Sequence, residues 1–305
     1  MAAYTLRQLK YFVTTADCGS VAKASRQLFI ASPAIASAIK SLEESFGVQL
    51  VIRQPAQGVS LTPAGKRFYG KAQRLLRNAR EFEYEVSADS DEAAGQIEVG
   101  CFETLAPLYL PRLIAGFRAR RPGVAIQVHD GEQQELVQGL TSGRFDLAIL
   151  YDIGLDATLE AESLMPLHRP YVLLPEAHPL ARQEYVSLRD LAAEPMILLD
   201  VLPSRTYFIQ VFEALGLSPN IAFSSPSIEM VRGMVGHGFG FSLLVTRPHA
   251  DTTYDGKRLA CRQIVEDVVG SNLMAAWLKR APLSRSARLF VDYCKEELAG
   301  VPIQA

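Results

Sequence analysis

The first pattern of apolar positions in the chain is helical. Leu6, Leu9, Phe12, Val13 and Ala16 fall on one face of a 3.6-residue period. Asp17-Cys18-Gly19 breaks the run, and Ser20 stands where a helix N-cap belongs. A short second helix follows, with Val21, Ala24 and Leu28 inward and Lys23, Arg26 and Gln27 outward. Phe29 and Ile30 are read as filling the turn after it. Ser32 reads as an N-cap with Pro33 at the first helical position. Ala34, Ile35, Ala38, Ile39 and Leu42 carry the period on until Phe46-Gly47 ends a third helix. The small residues Ala24, Ala34 and Ala38 are expected where helices cross closely. Residues 51–61 place two short apolar runs around Gln54-Pro55-Ala56-Gln57-Gly58, the pattern of a hairpin wing, with Arg53 set to meet phosphate. Two helices joined by a tight turn form a helix-turn-helix, whose second helix enters a major groove. Any small helical hairpin would share the period.

Thr62 with Pro63 behind it opens another helix, unbroken to about Ser90. Its apolar positions Phe68, Ala72, Leu75, Ala79, Phe82 and Val86 alternate in steps of four and three, the spacing of a coiled-coil seam. Lys71, Arg74, Arg77 and Arg80 surround it early, and Glu81, Glu83 and Glu85 late. A long polar helix is marginal alone. A partner copy is expected along the seam; the other reading packs it on the chain's own C-terminal domain.

After a polar, small-residue hinge at 89–95, the periods alternate. Strands are predicted at 96–101, 124–129, 147–151, 171–175, 196–199, 221–224, 240–245 and 272–277. Helices are predicted at 107–120, 132–142, 188–193, 204–215, 227–236 and 284–298. This order argues for an α/β domain with largely parallel sheets, which binds ligand outside the carboxyl ends of its strands.

Charge sharpens the division. Residues 1–80 carry 12 Lys and Arg against three acids, a net of +9; the rest carries 19 basic and 30 acidic residues, a net of −11. A cationic first quarter on an acidic carrier is the footprint of a nucleic-acid-binding head. With 49% hydrophobic and 21% charged residues, the chain is not of the disordered class. Its four cysteines, at 18, 101, 261 and 294, form neither a disulfide framework nor a C-x-x-C pair. Cys101 reads as a small core residue rather than a redox switch. No apolar run has the length of a membrane span, and residues 1–10 lack the apolar core of a secretory signal. A soluble cytoplasmic protein that binds no membrane is expected. The five histidines have no metal-ligand spacing, and no nucleophile elbow, phosphate loop or H-E-x-x-H is present, so neither a metal, a cofactor nor an enzymatic activity is expected. Gly236-His237-Gly238-Phe239-Gly240 ends a helix and opens a strand, the reverse of a dinucleotide loop, and reads as a turn.

Specific motifs then carry a resemblance. Leu6-Arg7-Gln8-Leu9-Lys10-Tyr11-Phe12, Gly19-Ser20, Pro33-Ala34, Leu42-Glu43, Phe46-Gly47-Val48-Gln49-Leu50 and Val59-Ser60-Leu61-Thr62-Pro63-Ala64-Gly65 resemble the LysR-type transcriptional regulators across the whole head. Gly95-Gln96-Ile97-Glu98-Val99-Gly100, Leu110-Pro111, Pro122-Gly123-Val124, Gly143-Arg144-Phe145-Asp146-Leu147-Ala148-Ile149 and His178-Pro179-Leu180 are similar to that family's effector domain. The resemblance implies a winged helix-turn-helix head (1–61), a dimerisation helix with hinge (62–91), and a two-lobed domain like periplasmic binding proteins (92–305). Lobe one is then 92–167 plus 268–305, and lobe two 168–267. It also implies double-stranded promoter DNA and a small-molecule effector as partners, and a homodimer or homotetramer. Two departures stand out: Ala31-Ser32 replaces the family's usual Ser-Gln, and Ala36-Ser37 its frequent Ser-Arg.

The exposed face of the recognition helix is therefore Ser32, Ser37, Lys40 and Ser41, opened by Pro33. Positioning is expected to rest on Arg7, Lys10, Lys23, Arg26, Arg53, Lys66 and Arg67 at the phosphates, and specificity to lean on DNA shape. For the effector, helix starts after strands offer N–H groups and hydroxyls: Glu103-Thr104, Ser204-Arg205 and Ser227. Phe102 and Tyr151 are candidate apolar walls. The resemblance points to an anionic metabolite; Glu103 leaves an aromatic or neutral one open. A solute-binding or enzymatic α/β protein with an accessory head is the rival reading, and a regulator without effector response is the third.

Overall fold

The computed structural model describes residues 4–54, 58–87, 95–155, 157–166 and 169–299. The head begins with α1 (Leu6–Cys18), α2 (Val21–Leu28) and α3 (Ser32–Phe46). Helix α1 is closed by a reciprocal cap: the Gln8 amide N–H donates to Thr5 Oγ1 at 3.2 Å, and the Thr5 N–H donates to Gln8 Oε1 at 2.8 Å. Gly19 and Gly47 end α1 and α3 at φ 60° and 64°, where a side chain would be strained. Ser20 caps α2, as its position predicts. Ser32 does not cap α3: Ala31 is the N-cap, without a side-chain bond, and Ser32 is the first helical residue. Leu9, Phe12, Ala24, Ile35, Ile39 and Leu42 form the head's core. Ala34, expected at a helix crossing, is exposed instead. Phe29 is 94% exposed and holds φ 56°, so it caps α2 rather than filling the turn.

The wing pairs β1 (Val51–Gln54) with β2 (Gly58–Leu61) antiparallel. Its predicted tip at 55–57 lies outside the described residues. Helix α4 (Pro63–Ser87) follows, and Thr62 caps it by accepting from the Gly65 N–H at 2.8 Å.

The remaining chain runs β3 (Gly95–Phe102), α5 (Ala106–Arg120), β4 (Val124–Gly131), α6 (Gln133–Ser142), β5 (Leu147–Tyr151), β6 (Leu159–Pro166) and β7 (Tyr171–Pro175). Then come β8 (Tyr185–Val186), α7 (Leu188–Leu191), β9 (Pro195–Leu199), α8 (Ser204–Glu213), β10 (Asn220–Ser225), α9 (Ile228–Gly236) and β11 (Ser242–Leu244). It closes with β12 (Leu259–Ile264), β13 (Asn272–Leu278) and α10 (Arg285–Ala299). One sheet has the order β4-β3-β5-β13-β6, another β11-β7-β12-β8, and β9 pairs with β10. An isolated bridge, Met196 to Phe241, ties β9 to the start of β11. The chain crosses between the two groups of strands twice, after β6 and before β13.

The expectation of largely parallel sheets fails. β3 runs parallel to β4 and β5, but β13 is antiparallel to both β5 and β6. β7 is antiparallel to β11 and β12. The reversed strand of each sheet, β13 or β7, is predicted as a strand, but its apolar pattern carries no direction; β6 and β12, which pair antiparallel with them, are not predicted at all. β6 is an edge strand with Glu160, Glu162 and Ser163 among its residues, and β12 turns polar after Ala260.

Candidate functional site

The polar surface of the head is built by its core. Because Ile35, Ile39 and Leu42 turn inward, Pro33, Ala34, Ser37 and Lys40 turn outward, and Ser32 is half-exposed. Arg7, Lys10, Lys23, Arg26, Arg53, Lys66 and Arg67 are all exposed. None of the seven has an ion-pair partner among the described residues. The head's acids are occupied in its own framework. Glu43 Oε1 accepts from the backbone N–H groups of Leu50 and Val51 at 2.8 and 3.1 Å, fixing the start of the wing. Asp17 accepts from the Tyr69 hydroxyl on α4. Among the described residues of the head, only Lys40 pairs with an acid: it lies 3.6 Å from Glu44, and both side chains are largely exposed. Such a surface pair is weak and exchangeable for a phosphate.

The seam on α4 divides in two. Phe68 meets Phe12 and Phe46 edge-on, with ring centroids 5.2 and 4.9 Å apart, and Ala72 is buried in the head's core. These two residues therefore seat α4 on its own head rather than on a partner. Phe82 is 65% exposed and Leu75 38%, while Ala79 is half-buried. The side chain of Val86 and the hinge at 88–94 lie outside the described residues; Gly95, expected in the hinge, opens β3.

Beyond the head, α4 is fastened to the sheet of β3 and β5. Arg77 Nη2 lies 2.9 Å from Asp146 Oδ1, both side chains being only 9% exposed. Asp146 Oδ2 accepts from the Glu98 N–H at 2.9 Å. Gly70 lies so close to the α6–β5 turn that a Cβ there would sit 2.3 Å from the Ser142 carbonyl oxygen. Arg74 Nη2 donates to the carbonyls of Ala281 and Pro282, each at 3.0 Å. None of these linkages follows from the heptad spacing.

The carboxyl ends of β3, β4 and β5 carry the predicted effector residues of the first lobe. Phe102 is fully buried and packs edge-on to Tyr151 at 5.2 Å, so it belongs to the core and lines no cleft. Thr104 does not open α5, whose N-cap is Leu105; its hydroxyl lies 3.1 Å from Tyr151 Oη. Burial pushes the Tyr151 phenol up, while hydrogen bonds to Thr104 and to Thr246 pull it down. Thr246 follows β11, so this buried cluster joins the two groups of strands; the sequence reading missed it. Glu103 Oε1 is buried with no hydrogen-bond partner. Burial raises the Glu103 carboxyl above its ordinary value, and Glu132 and Asp130 raise it further. Gln133, the first residue of α6, donates to the Ile153 carbonyl at 2.5 Å but leaves its own buried Oε1 without a partner. Glu103 and Glu132 line a cavity of about 470 Å³ with Gly131.

The second lobe offers less to an anion than expected. Ser204 is the buried first residue of α8, preceded by Pro203, and it makes no cap bond. Arg205 Nη1 is held 2.9 Å from Asp200 Oδ1, which offsets its charge. Ser227 caps α9, accepting from the Met230 N–H at 3.3 Å. The turn after α9 is confirmed: Gly236 ends the helix and β11 starts at Ser242. Cys101 is buried and its thiol is pushed up by burial, as befits a core residue. Among the described residues no cluster of metal-ligating side chains occurs, and no helix is long and apolar enough to cross a membrane.

A winged helix-turn-helix with free cations, joined by one long helix to a two-lobed α/β domain, defines a DNA-binding regulator with a ligand-binding module. Comparison with known proteins gives the same class. Residues 6–66 match the family of bacterial regulatory helix-turn-helix proteins of the lysR type, and residues 90–299 match the LysR substrate binding domain. The chain belongs to the LysR family of transcriptional regulators, which are not enzymes. HinK, a LysR family transcriptional regulator from Pseudomonas aeruginosa, is 67% identical, covering 97% of this chain and 99% of its own, with a TM-score of 0.66. The PA01 protein of the same organism is 68% identical, covering 97% and 100%, with a TM-score of 0.67. The HTH-type transcriptional regulator YvbU of Bacillus subtilis is 30% identical over 96% of this chain and 98% of its own length.

Proposed function

We propose that the chain is a promoter-binding switch whose effector sits between the two lobes at the carboxyl ends of β3, β4 and β5. The observation that carries this is the pair of buried, unpartnered acceptors there, Glu103 Oε1 and Gln133 Oε1. A buried acceptor left unsatisfied is costly, and a ligand that donates to it recovers that cost. The effector is thus a small molecule with N–H or O–H donors, neutral or cationic. An anion loses support because Arg205 is already paired and Glu103 faces the site with acids beside it. The seam of Thr104, Tyr151 and Thr246 lies where closure of the lobes acts, and Ser227 adds a hydroxyl from lobe two.

At the other end, Arg7, Lys10, Lys23, Arg26, Arg53, Lys66 and Arg67 hold phosphates. Ser32, Ala34, Ser37 and Lys40 face the bases, with Pro33 setting the helix entry. Leu75, Ala79 and Phe82 meet a second copy, so that two heads reach two half-sites. A thermal-shift screen of small amines and polyols against carboxylates of equal size tests the effector reading. Stabilisation by a donor-rich compound, lost in Glu103→Gln combined with Gln133→Leu, supports it; stabilisation by carboxylates alone contradicts it.

A further inference from the structure

A second cavity, of about 670 Å³, lies between α4 and the segment that follows β13, away from the carboxyl ends of β3, β4 and β5. Its lining includes Lys71 and Arg74 from α4, and Lys279 and Arg280 after β13. No described lining residue is a carboxylate. Lys71, Lys279 and Arg280 have no ion-pair partner among the described residues. Arg74 is placed by its two carbonyl bonds, and its remaining guanidinium donors make no hydrogen bond with any described residue. The buried Asp146 near Arg74 is neutralised by Arg77. Several other arginines of this domain are matched with acids: Arg120 with Glu296 and Glu297, Arg288 with Glu162, Arg144 with Glu135. What distinguishes this cavity is that four cations converge on one concavity with no carboxylate among its described lining residues.

From this convergence we propose that the cavity between α4 and the β13–α10 segment is a binding site for a small polyanion, one bearing two or more phosphate or carboxylate groups. The volume suits a small molecule. Planar guanidinium forks at Arg74 and Arg280 match oxyanions, and the two lysines add charge without demanding direction. Burial holds the Arg74 guanidinium below its ordinary value, so a bound anion relieves a charge that the fold has partly desolvated. Such a ligand bridges the helix leaving the DNA-binding head to the sheet of the effector domain. It fixes their relative placement from a site separate from the interlobe one.

The test is calorimetric titration of the full chain, at constant ionic strength, with pyrophosphate in one arm and citrate in the other. Acetate serves as the monoanion control. The expected result is saturable binding of one pyrophosphate or citrate per chain, with acetate inert; which arm is tighter separates a phosphate ligand from a carboxylate one. Lys279→Gln combined with Arg280→Gln lies on exposed positions, keeps the melting temperature, and weakens binding at least tenfold. Lys23→Gln combined with Arg26→Gln in the head leaves it unchanged. Absence of saturable binding in both arms overturns the proposal. So does binding that survives the Lys279/Arg280 change, or that is lost with the head cations.

Discussion

The head and the effector domain handle charge in opposite ways. In the head the acids are built in: Glu43 anchors the wing and Asp17 holds Tyr69, which leaves seven exposed cations without partners. In the effector domain many cations are paired, Lys279 and Arg280 being exceptions: Arg205 answers Asp200, Arg288 answers Glu162, and Arg232 is almost fully buried beside Glu229. A free surface cation costs the fold little and remains available to a phosphate. A paired one serves the fold. The difference explains how a chain of net charge −2 presents a strongly cationic head. The two regions meet where α4 crosses the β3–β5 sheet, and there one cation, Arg77, follows the effector domain's rule.

The sharpest break in this comparison is at that crossing. Asp146→Ala leaves Arg77 buried and unpaired, and is expected to destabilise the effector domain by about 3–5 kcal/mol in urea denaturation. The head's DNA affinity per folded molecule should fall less. Next is Gly70→Ala. A Cβ 2.3 Å from a backbone oxygen cannot be absorbed by rotating a side chain, so about 1–3 kcal/mol of overpacking is expected, read as a lowered melting temperature. In the head, Arg26→Ala should leave the melting temperature within about 0.5 kcal/mol of the parent. It should weaken DNA binding evenly across sequences and reduce the slope of log affinity against log salt by about 1.

The smallest effect concerns Glu103. A carboxyl raised by folding contributes stability that is greatest at low pH and lost as pH rises through its folded-state value. Glu103→Gln is therefore expected to raise the melting temperature at neutral pH. The gain should vanish below the ordinary carboxylate range, where both side chains are neutral. A gain independent of pH would show that the carboxyl is not strained by burial.

How much of this is legible in the sequence varies with the range of the interaction. The helices of the head, Ser20 and Thr62 as caps, and strands such as β5 and β7 follow from local period and cap chemistry. β6 and β12 do not, because their polar residues mask the apolar alternation that reveals β3. Period alone also cannot say which neighbour a seam meets. Phe68 and Ala72 share a heptad face with Phe82, yet turn into the head's own core. Arg77 and Asp146 stand 69 positions apart, and no local spacing links them. In the effector site, Glu103 and Thr104 were visible as residues after a strand, whereas Thr246 and the unsatisfied oxygen of Gln133 required the folded chain. The pairing of Arg205 with Asp200 is likewise invisible in the sequence, because a guanidinium at a helix start looks the same whether free or already engaged by the fold.

The measurement that bears most directly on the account is a footprint of the full chain on the intergenic DNA beside its own gene, repeated across a salt series. If the unpaired head cations carry binding, two half-sites on one face of the duplex are protected. With about six phosphates neutralised, affinity falls roughly a thousandfold between 50 and 200 mM salt. Protection that barely changes over that range, or a single unpaired half-site, would contradict it.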